Sequence, residues 1–215
     1  LQRQLLPVML CWFADEAYPY AGLLAFRRIS DELGSTPWYL RLLRDEGSAA
    51  ERLAHTLARS RYAGDLLEQA PESVQFLGDA KGLTPRTRDE ILTRMRAAAG
   101  RRDTAVDAIA AARVIRRSEL FRIAVADLTG RIGLGDVGAA LTAVTTALLE
   151  VALEQVTKDV VARTGGRPLT RMLVVGMGRL GGDEQSYGSD ADVLFVHDHA
   201  VADSGDVDAK AAQDQ

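Results

Sequence analysis

Cysteine is nearly missing from this chain of 215 residues: Cys11 is the single one. No disulfide framework can form, and a thiol set among Met9, Leu10, Trp12 and Phe13 is expected to be buried as a small hydrophobe in a reducing cytoplasm. Histidine is scarce too. His55 stands alone on a helical stretch, and His197 and His199 have no third ligand at metal spacing, so zinc is not expected. No run of 18 uncharged apolar residues occurs, and the opening Leu1-Gln-Arg-Gln-Leu-Leu-Pro7 has neither an initiator Met nor a signal-peptide layout. A membrane partner is therefore not expected, and the chain reads as part of a longer soluble polypeptide. What remains is ordinary for a globular protein, 47% apolar and 26% charged, enough for one large or two small cores.

The net charge of −4 is unevenly spread. Residues 183–215 carry nine acids against Lys210 alone, leaving the first 182 residues with 25 bases and 21 acids. A solvated acidic end is the plain reading; the sharper one is that some of these acids converge on a cation. No nucleic-acid partner is expected.

Up to about Thr164 the pattern is helical almost throughout. Leu5, Met9, Trp12 and Phe13 repeat at helical spacing, as do Leu23, Leu24, Phe26, Ile29 and Leu33, with Gly34 suited to a C′ position. Thr36-Pro37 and Thr84-Pro85 read as caps followed by a first-turn proline, and Ser48-Ala-Ala-Glu51 as a capping box. Two long alanine-rich stretches without proline, 103–129 and 136–163, predict long helices joined by a turn over 130–135. Trp12, Trp38 and the tyrosines at helical positions are expected in the core or an interface.

At Gly165-Gly-Arg-Pro168 the texture changes, and two short β-type runs follow, Leu169–Val175 and Asp192–His197. The expected organisation is thus an all-α helical region over 1–165 and, over 166–215, the beginning of an α/β domain. Between the runs lies Gly176-Met-Gly-Arg-Leu-Gly181, a literal G-x-G-x-x-G. In a dinucleotide-binding unit such a turn opens a crossover helix leading to a parallel strand, which needs at least about 10–12 residues. Gly181 to Asp190 is too short and too rich in glycine and serine for that, so a different use of the turn is expected. After it comes Asp190-Ala-Asp192 before an apolar strand. On a strand, alternate side chains share a face, so the two carboxylates would repel unless a cation sat between them; hard oxygens at that spacing suit Mg²⁺ with nucleotide phosphates.

The combination of strand, Gly178-Arg179, ten residues and then D-x-D resembles the signature of the polymerase-β-like nucleotidyltransferases, except that Arg179 replaces a small residue. The longer stretch Gly176-Met-Gly-Arg-Leu-Gly-Gly-Asp-Glu-Gln-Ser-Tyr-Gly-Ser-Asp-Ala-Asp-Val-Leu-Phe195 is similar to the catalytic motif of the glutamine synthetase adenylyltransferases, with Gln185 in place of a usual leucine. Arg117–Asp127 resembles that family's long helix before the catalytic domain, and residues 39–71 its central helical region. The resemblance implies a mainly α region followed by the start of a nucleotidyltransferase domain whose mixed sheet is incomplete here. It implies transfer of AMP from ATP to a tyrosine of glutamine synthetase, with a PII-type signalling protein as a possible further partner. By the same resemblance Asp190 and Asp192 are the catalytic and Mg²⁺-holding pair, and Gly178, Arg179, Gly181, Gly182 and Ser189 line the triphosphate. Ser189 could equally cap the turn, and Arg179 brace it. A third carboxylate is expected beyond Gln215, because Asp203, Asp206, Asp208 and Asp214 lie in loop-like sequence; the stretch alone is then expected to be inactive. The flanking helices resemble the adenylylating rather than the adenylyl-removing half. The removing half, a helical docking module and another nucleotidyltransferase such as an antibiotic-modifying enzyme are the alternatives.

Overall fold

The computed structural model describes residues 2–45, 47–79, 81–166 and 170–199. The acids Asp203, Asp206, Asp208 and Asp214 lie outside the described residues, as do Arg167, Pro168 and Leu169 of the expected boundary stretch. The chain condenses into two compact units, Leu1–Arg86 with Arg116–Val137, and Thr87–Ile115 with Gly138–Gln215.

The first unit is helical. It holds α1 (Gln2–Ala14), α2 (Pro19–Leu33), α3 (Pro37–Asp45), α4 (Gly47–Arg59), α5 (Arg61–Gln69), two 3₁₀ turns at Pro71–Leu77 and Lys81–Leu83, and the C-terminal part of α7 (Ala105–Leu128). Its apolar positions face inward at the predicted spacing: Phe13, Ile29, Leu43, Leu53, Leu57, Leu67, Leu77 and Phe121 are buried. α2 approaches α4 so closely that a Cβ on Gly22 would stand 2.9 Å from that of Ala58. Tyr39 is fully buried with its hydroxyl 3.2 Å from Ser30 Oγ, and burial pushes its phenol up to about 12. Cys11 departs from expectation and is exposed. Met9 and Phe13, four apart on one face of α1, are the buried pair, and a residue midway between them points to the opposite side.

Polar groups close this unit where apolar ones cannot. Glu119 and Arg122, one turn apart on α7, are both buried; Arg122 Nε donates to Glu119 Oε2 at 3.0 Å, and Arg86 binds the other carboxylate oxygen. The Arg122 guanidinium lies 3.8 Å from the centroid of Phe76, so its plane is covered by an aromatic face. Farther out, Glu16 receives Arg59 Nε at 2.7 Å and lies 2.6 Å from His55 Nδ1, clamping the α1–α2 loop to α4. The sequence reading attached no role to His55.

The second unit contains α6 (Arg88–Ala99), the N-terminal part of α7, α8 (Leu134–Thr164) from Gly138 onward, β1 (Thr170–Gly176), a one-turn α9 (Gly178–Gly181) and β2 (Val193–His199). Arg88 and Arg96 of α6 grip Glu150 and Glu154 of α8, with Arg96 Nε 3.1 Å from both Glu154 oxygens and its terminal nitrogen 2.6 Å from Glu150. α8 is long and apolar enough to cross a membrane by length and composition alone. The two glutamates that interrupt its apolar run are the ones paired with α6. The strands are antiparallel, with Gly176 opposite Val193 and Thr170 opposite His199. This excludes the parallel crossover that a dinucleotide-binding unit requires, as the short connection predicted.

Three predicted helix starts differ in detail. Ser48 lies inside α4, where its hydroxyl accepts from Arg52 at 3.0 Å, instead of forming a capping box with Glu51. The capping box of α6 is Thr87 with Glu90, three residues after Thr84, because the chain first completes the 3₁₀ turn that ends at Leu83. Thr36 does precede Pro37, but its hydroxyl donates back to the Leu33 carbonyl at 2.6 Å.

Arg59, with help from His55, holds the Glu16 carboxyl below its ordinary value of 4.5 despite partial burial. A group whose folded-state pKa is depressed stabilises the fold above the unfolded value, and that stability is lost as pH falls through the folded value. Glu16→Gln should cost about 1 kcal/mol at neutral pH, the scale of a partly screened ion pair. Denaturant melts of the variant should show less loss of stability than the unsubstituted protein as the pH drops below 4.5. Equal acid sensitivity in the two proteins would contradict the assignment.

Candidate functional site

The site begins where β1 stops. Its last ladder pair is Gly176 with Val193, and the next residue, Met177, still donates its N–H to Asp192 O at 2.8 Å. The backbone then turns at Gly178, with φ at +53°, into the single turn of α9. A positive φ there favours glycine. Gly181 is constrained by space: a Cβ would stand 2.5 Å from the Gly176 carbonyl oxygen, nearer than any real side chain comes. Leu180, buried between these glycines, pins the turn, its Cγ being 3.1 Å from where a Cβ on Gly176 would stand. Gly182 is freer, with the nearest atom 3.5 Å from its notional Cβ.

The N–H groups of Gly181 and Gly182 are already used, donating to Met177 O and Gly178 O at 3.1 Å each. What these two glycines offer a ligand is therefore the absence of side chains. Arg179 is exposed; one guanidinium nitrogen lies 3.3 Å from Ser186 Oγ, and its carbonyl accepts Glu184 N–H at 2.9 Å. It braces the loop while keeping its charge in solvent. Ser189 caps the same loop, its Oγ accepting Ser186 N–H at 2.9 Å and lying 2.8 Å from Ser186 Oγ. Ser186, which the sequence marks only as turn-prone, is thus a hub of the loop, and the Ser186-x-x-Ser189 spacing is that of a local cap.

Asp190 and Asp192 both precede β2 and are exposed, so strand alternation does not govern them. Two contacts bring the second to the turn: the Met177–Asp192 backbone bond, and Asp192 Oδ2, 3.4 Å from where a Gly178 Cβ would be. The first is reached through Gln185, a buried residue whose Nε2 donates to Asp190 O at 3.5 Å. Leucine, usual in the resembling motif, would fill the same place without that donor. Among the described residues no group of three or more His, Cys, Asp or Glu gathers as a metal cluster. The exposed carboxylate of Asp192 beside Gly178 and that of Asp190, two residues before it, are hard oxygen donors of the kind Mg²⁺ takes together with nucleotide oxygens.

Comparison with known proteins identifies the family that this chain resembles. A family model for glutamate-ammonia ligase adenylyltransferase matches residues 50–215. A bifunctional glutamine synthetase adenylyltransferase/adenylyl-removing enzyme of Streptomyces coelicolor is 51% identical over 213 residues, covering 92% of this chain and 21% of the relative. The enzymes of the same name from Cutibacterium acnes and Mycobacterium marinum are 47% and 45% identical, covering 98% and 99% of the chain and 20% and 21% of their own lengths. The chain therefore spans about a fifth of the length of these curated relatives.

The clearances rank the glycines. Gly181→Ala must push the Gly176 carbonyl aside and should destabilise by about 2 kcal/mol or more. Gly178→Ala should cost about 1 kcal/mol through its φ, and Gly182→Ala less than about 0.5 kcal/mol. Urea melts of the three variants check the order, and a well-tolerated Gly181→Ala would show that the turn is not packed as described.

Proposed function

This chain belongs to the glutamate-ammonia ligase adenylyltransferase family, and from that membership we propose that it carries part of a catalytic centre that transfers AMP from ATP to a tyrosine hydroxyl of glutamine synthetase. The observation that supports the proposal is the placing of Asp192 against Gly178, which brings one of the two carboxylates to the glycine turn. In the transfer, the tyrosine oxygen bonds to the α-phosphorus while the bond from that phosphorus to the β-bridging oxygen breaks. Pyrophosphate leaves, and the tyrosine proton passes to solvent.

The roles of the side chains follow from their positions. Asp190 and Asp192 hold the Mg²⁺, with Asp192 at the mouth of the turn. When bound, the ion neutralises triphosphate charge and polarises the reacting oxygens. Gly178, Gly181 and Gly182 leave three positions of the turn without side chains so that phosphate oxygens can lie along them, and Arg179 contributes positive charge from its exposed guanidinium. Ser186 and Ser189 hold the connecting loop; Ser189 can reach phosphate only by giving up its bond to the Ser186 N–H.

The functional division we propose is a helical region over 1–165 and the start of the catalytic domain from 166. α8 is taken as a packing helix in a cytoplasmic protein, its glutamates neutralised by α6. A PII-type protein is a candidate regulator of the whole enzyme. Between the two reactions named together in the relatives, attachment is favoured by the resemblance of the helices preceding the motif to those of the adenylylating half.

The full-length protein should transfer label from α-labelled but not γ-labelled ATP onto glutamine synthetase. Asp190→Asn and Asp192→Asn should each lower the rate by about 100-fold or more, a loss of several kcal/mol of transition-state stabilisation. Transfer of γ-label would make the protein a kinase. Transfer of the AMP group from modified glutamine synthetase to phosphate, releasing ADP and the free tyrosine, without attachment, would assign the chain to the removing half.

A further inference from the structure

One glycine of α8 is unexplained by backbone conformation. Gly138 sits inside the helix with no positive φ, where glycine is about 0.5–1 kcal/mol worse than alanine. It is buried, and a Cβ there would stand 3.1 Å from Asp183 O, 3.2 Å from Glu184 Cα and 3.5 Å from Gln185 O. These are three successive backbone positions of the segment that joins the glycine turn to the aspartates. Backbone atoms cannot step aside as the end of a flexible side chain can. Gly135, in the same helix, would meet nothing within 4 Å.

The touched segment has little slack. Asp183 has φ at +58°, a strained value for a residue with a side chain. Glu184 N–H is tied to Arg179 O at 2.9 Å, and the buried Gln185 side chain reaches the Asp190 carbonyl. A shift imposed at Asp183–Gln185 is therefore passed in one direction to α9 and in the other to Asp190.

We propose that Gly138 is a positioning residue for the metal-nucleotide site: by having no side chain it lets α8 seat the backbone of Asp183–Gln185, and so fixes Asp190 relative to the glycine turn. The inference rests on the assignment of Asp190 and Asp192 as Mg²⁺ ligands. It adds a residue 38 positions before the start of the motif at Gly176, on a different element.

The test compares two substitutions of the same kind in the full-length protein, Gly138→Ala and Gly135→Ala. Both replace a glycine by alanine in α8, but only the first adds an atom against the loop. Calorimetric titration with Mg²⁺ and ATP should show affinity weakened about tenfold in Gly138→Ala, as expected for a small misplacement of a ligand set, with Gly135→Ala within about twofold of the unsubstituted protein. In transfer assays kcat should fall for Gly138→Ala while KM for glutamine synthetase stays the same. Hydrogen exchange at the Met177 amide, which bonds to Asp192, should quicken about tenfold in Gly138→Ala and stay unchanged in Gly135→Ala. Equal affinity and equal exchange in the two variants overturn the proposal. If Gly138→Ala does not fold, Gln185→Ala loosens the same seat from the loop side and should give the same exchange and affinity changes; behaviour like the unsubstituted protein again overturns it. The exchange measurement needs no nucleotide, so a failure of the unsubstituted protein to bind Mg²⁺ and ATP would reject the functional assignment while exchange still decides the positioning.

Discussion

The approach of Gly181 to the Gly176 carbonyl, too close for any Cβ, is the constraint on which the rest of the site depends. It lets the chain leave a strand and make one helical turn at the start of a sixteen-residue connection, after which the return strand pairs antiparallel with the first. With the turn closed in this way, Met177 is still near enough to bond Asp192, and a carboxylate is delivered to the glycine corner. A side chain at 181 would open the turn and move it away from Asp192.

The same economy of side chains recurs where elements cross. Gly22 admits Ala58 in the helical unit, and Gly138 admits the backbone of residues 183–185 in the other. Each replaces the usual side-chain interdigitation with backbone contact, which is stiffer, because nothing in it can change rotamer. Such contacts suit places where a position must be held, and the loop before Asp190 is one.

Charge is used in two ways. Glu119 and Arg122 are buried, and burial of an ion pair is tolerable only with hydrogen bonds and close packing; Arg86 and Arg122 Nε bind the Glu119 carboxylate, and the face of Phe76 packs on the Arg122 guanidinium. The Arg88, Arg96, Glu150 and Glu154 network is partly exposed and screened, so its stabilisation is modest. Its larger effect is to give polar partners to a helix whose composition would otherwise suit a lipid environment. The carboxylates of Asp190 and Asp192 belong to neither kind: both are exposed, and that of Asp192 lies beside Gly178.

Much of this was legible in the sequence, since helix periodicity and glycine chemistry are local. The spacing of Leu23, Phe26, Ile29 and Leu33 sets a helix whatever it packs on, and the short stretch from Gly181 to Asp190 excludes a crossover helix by length alone. The glycine turn and the Asp190-Ala-Asp192 pair were named from their order in the chain. Only the tertiary structure decided which atoms these residues meet: that Gly181 and Gly182 have no N–H to spare, that Ser189 is engaged by Ser186, that Cys11 faces outward, and that a glycine far upstream seats the loop before Asp190. Local pattern fixes the path of the backbone through sterics that act within a few residues. Partners distant in sequence are chosen by packing, and no short-range signal at Gly138 records what lies against it.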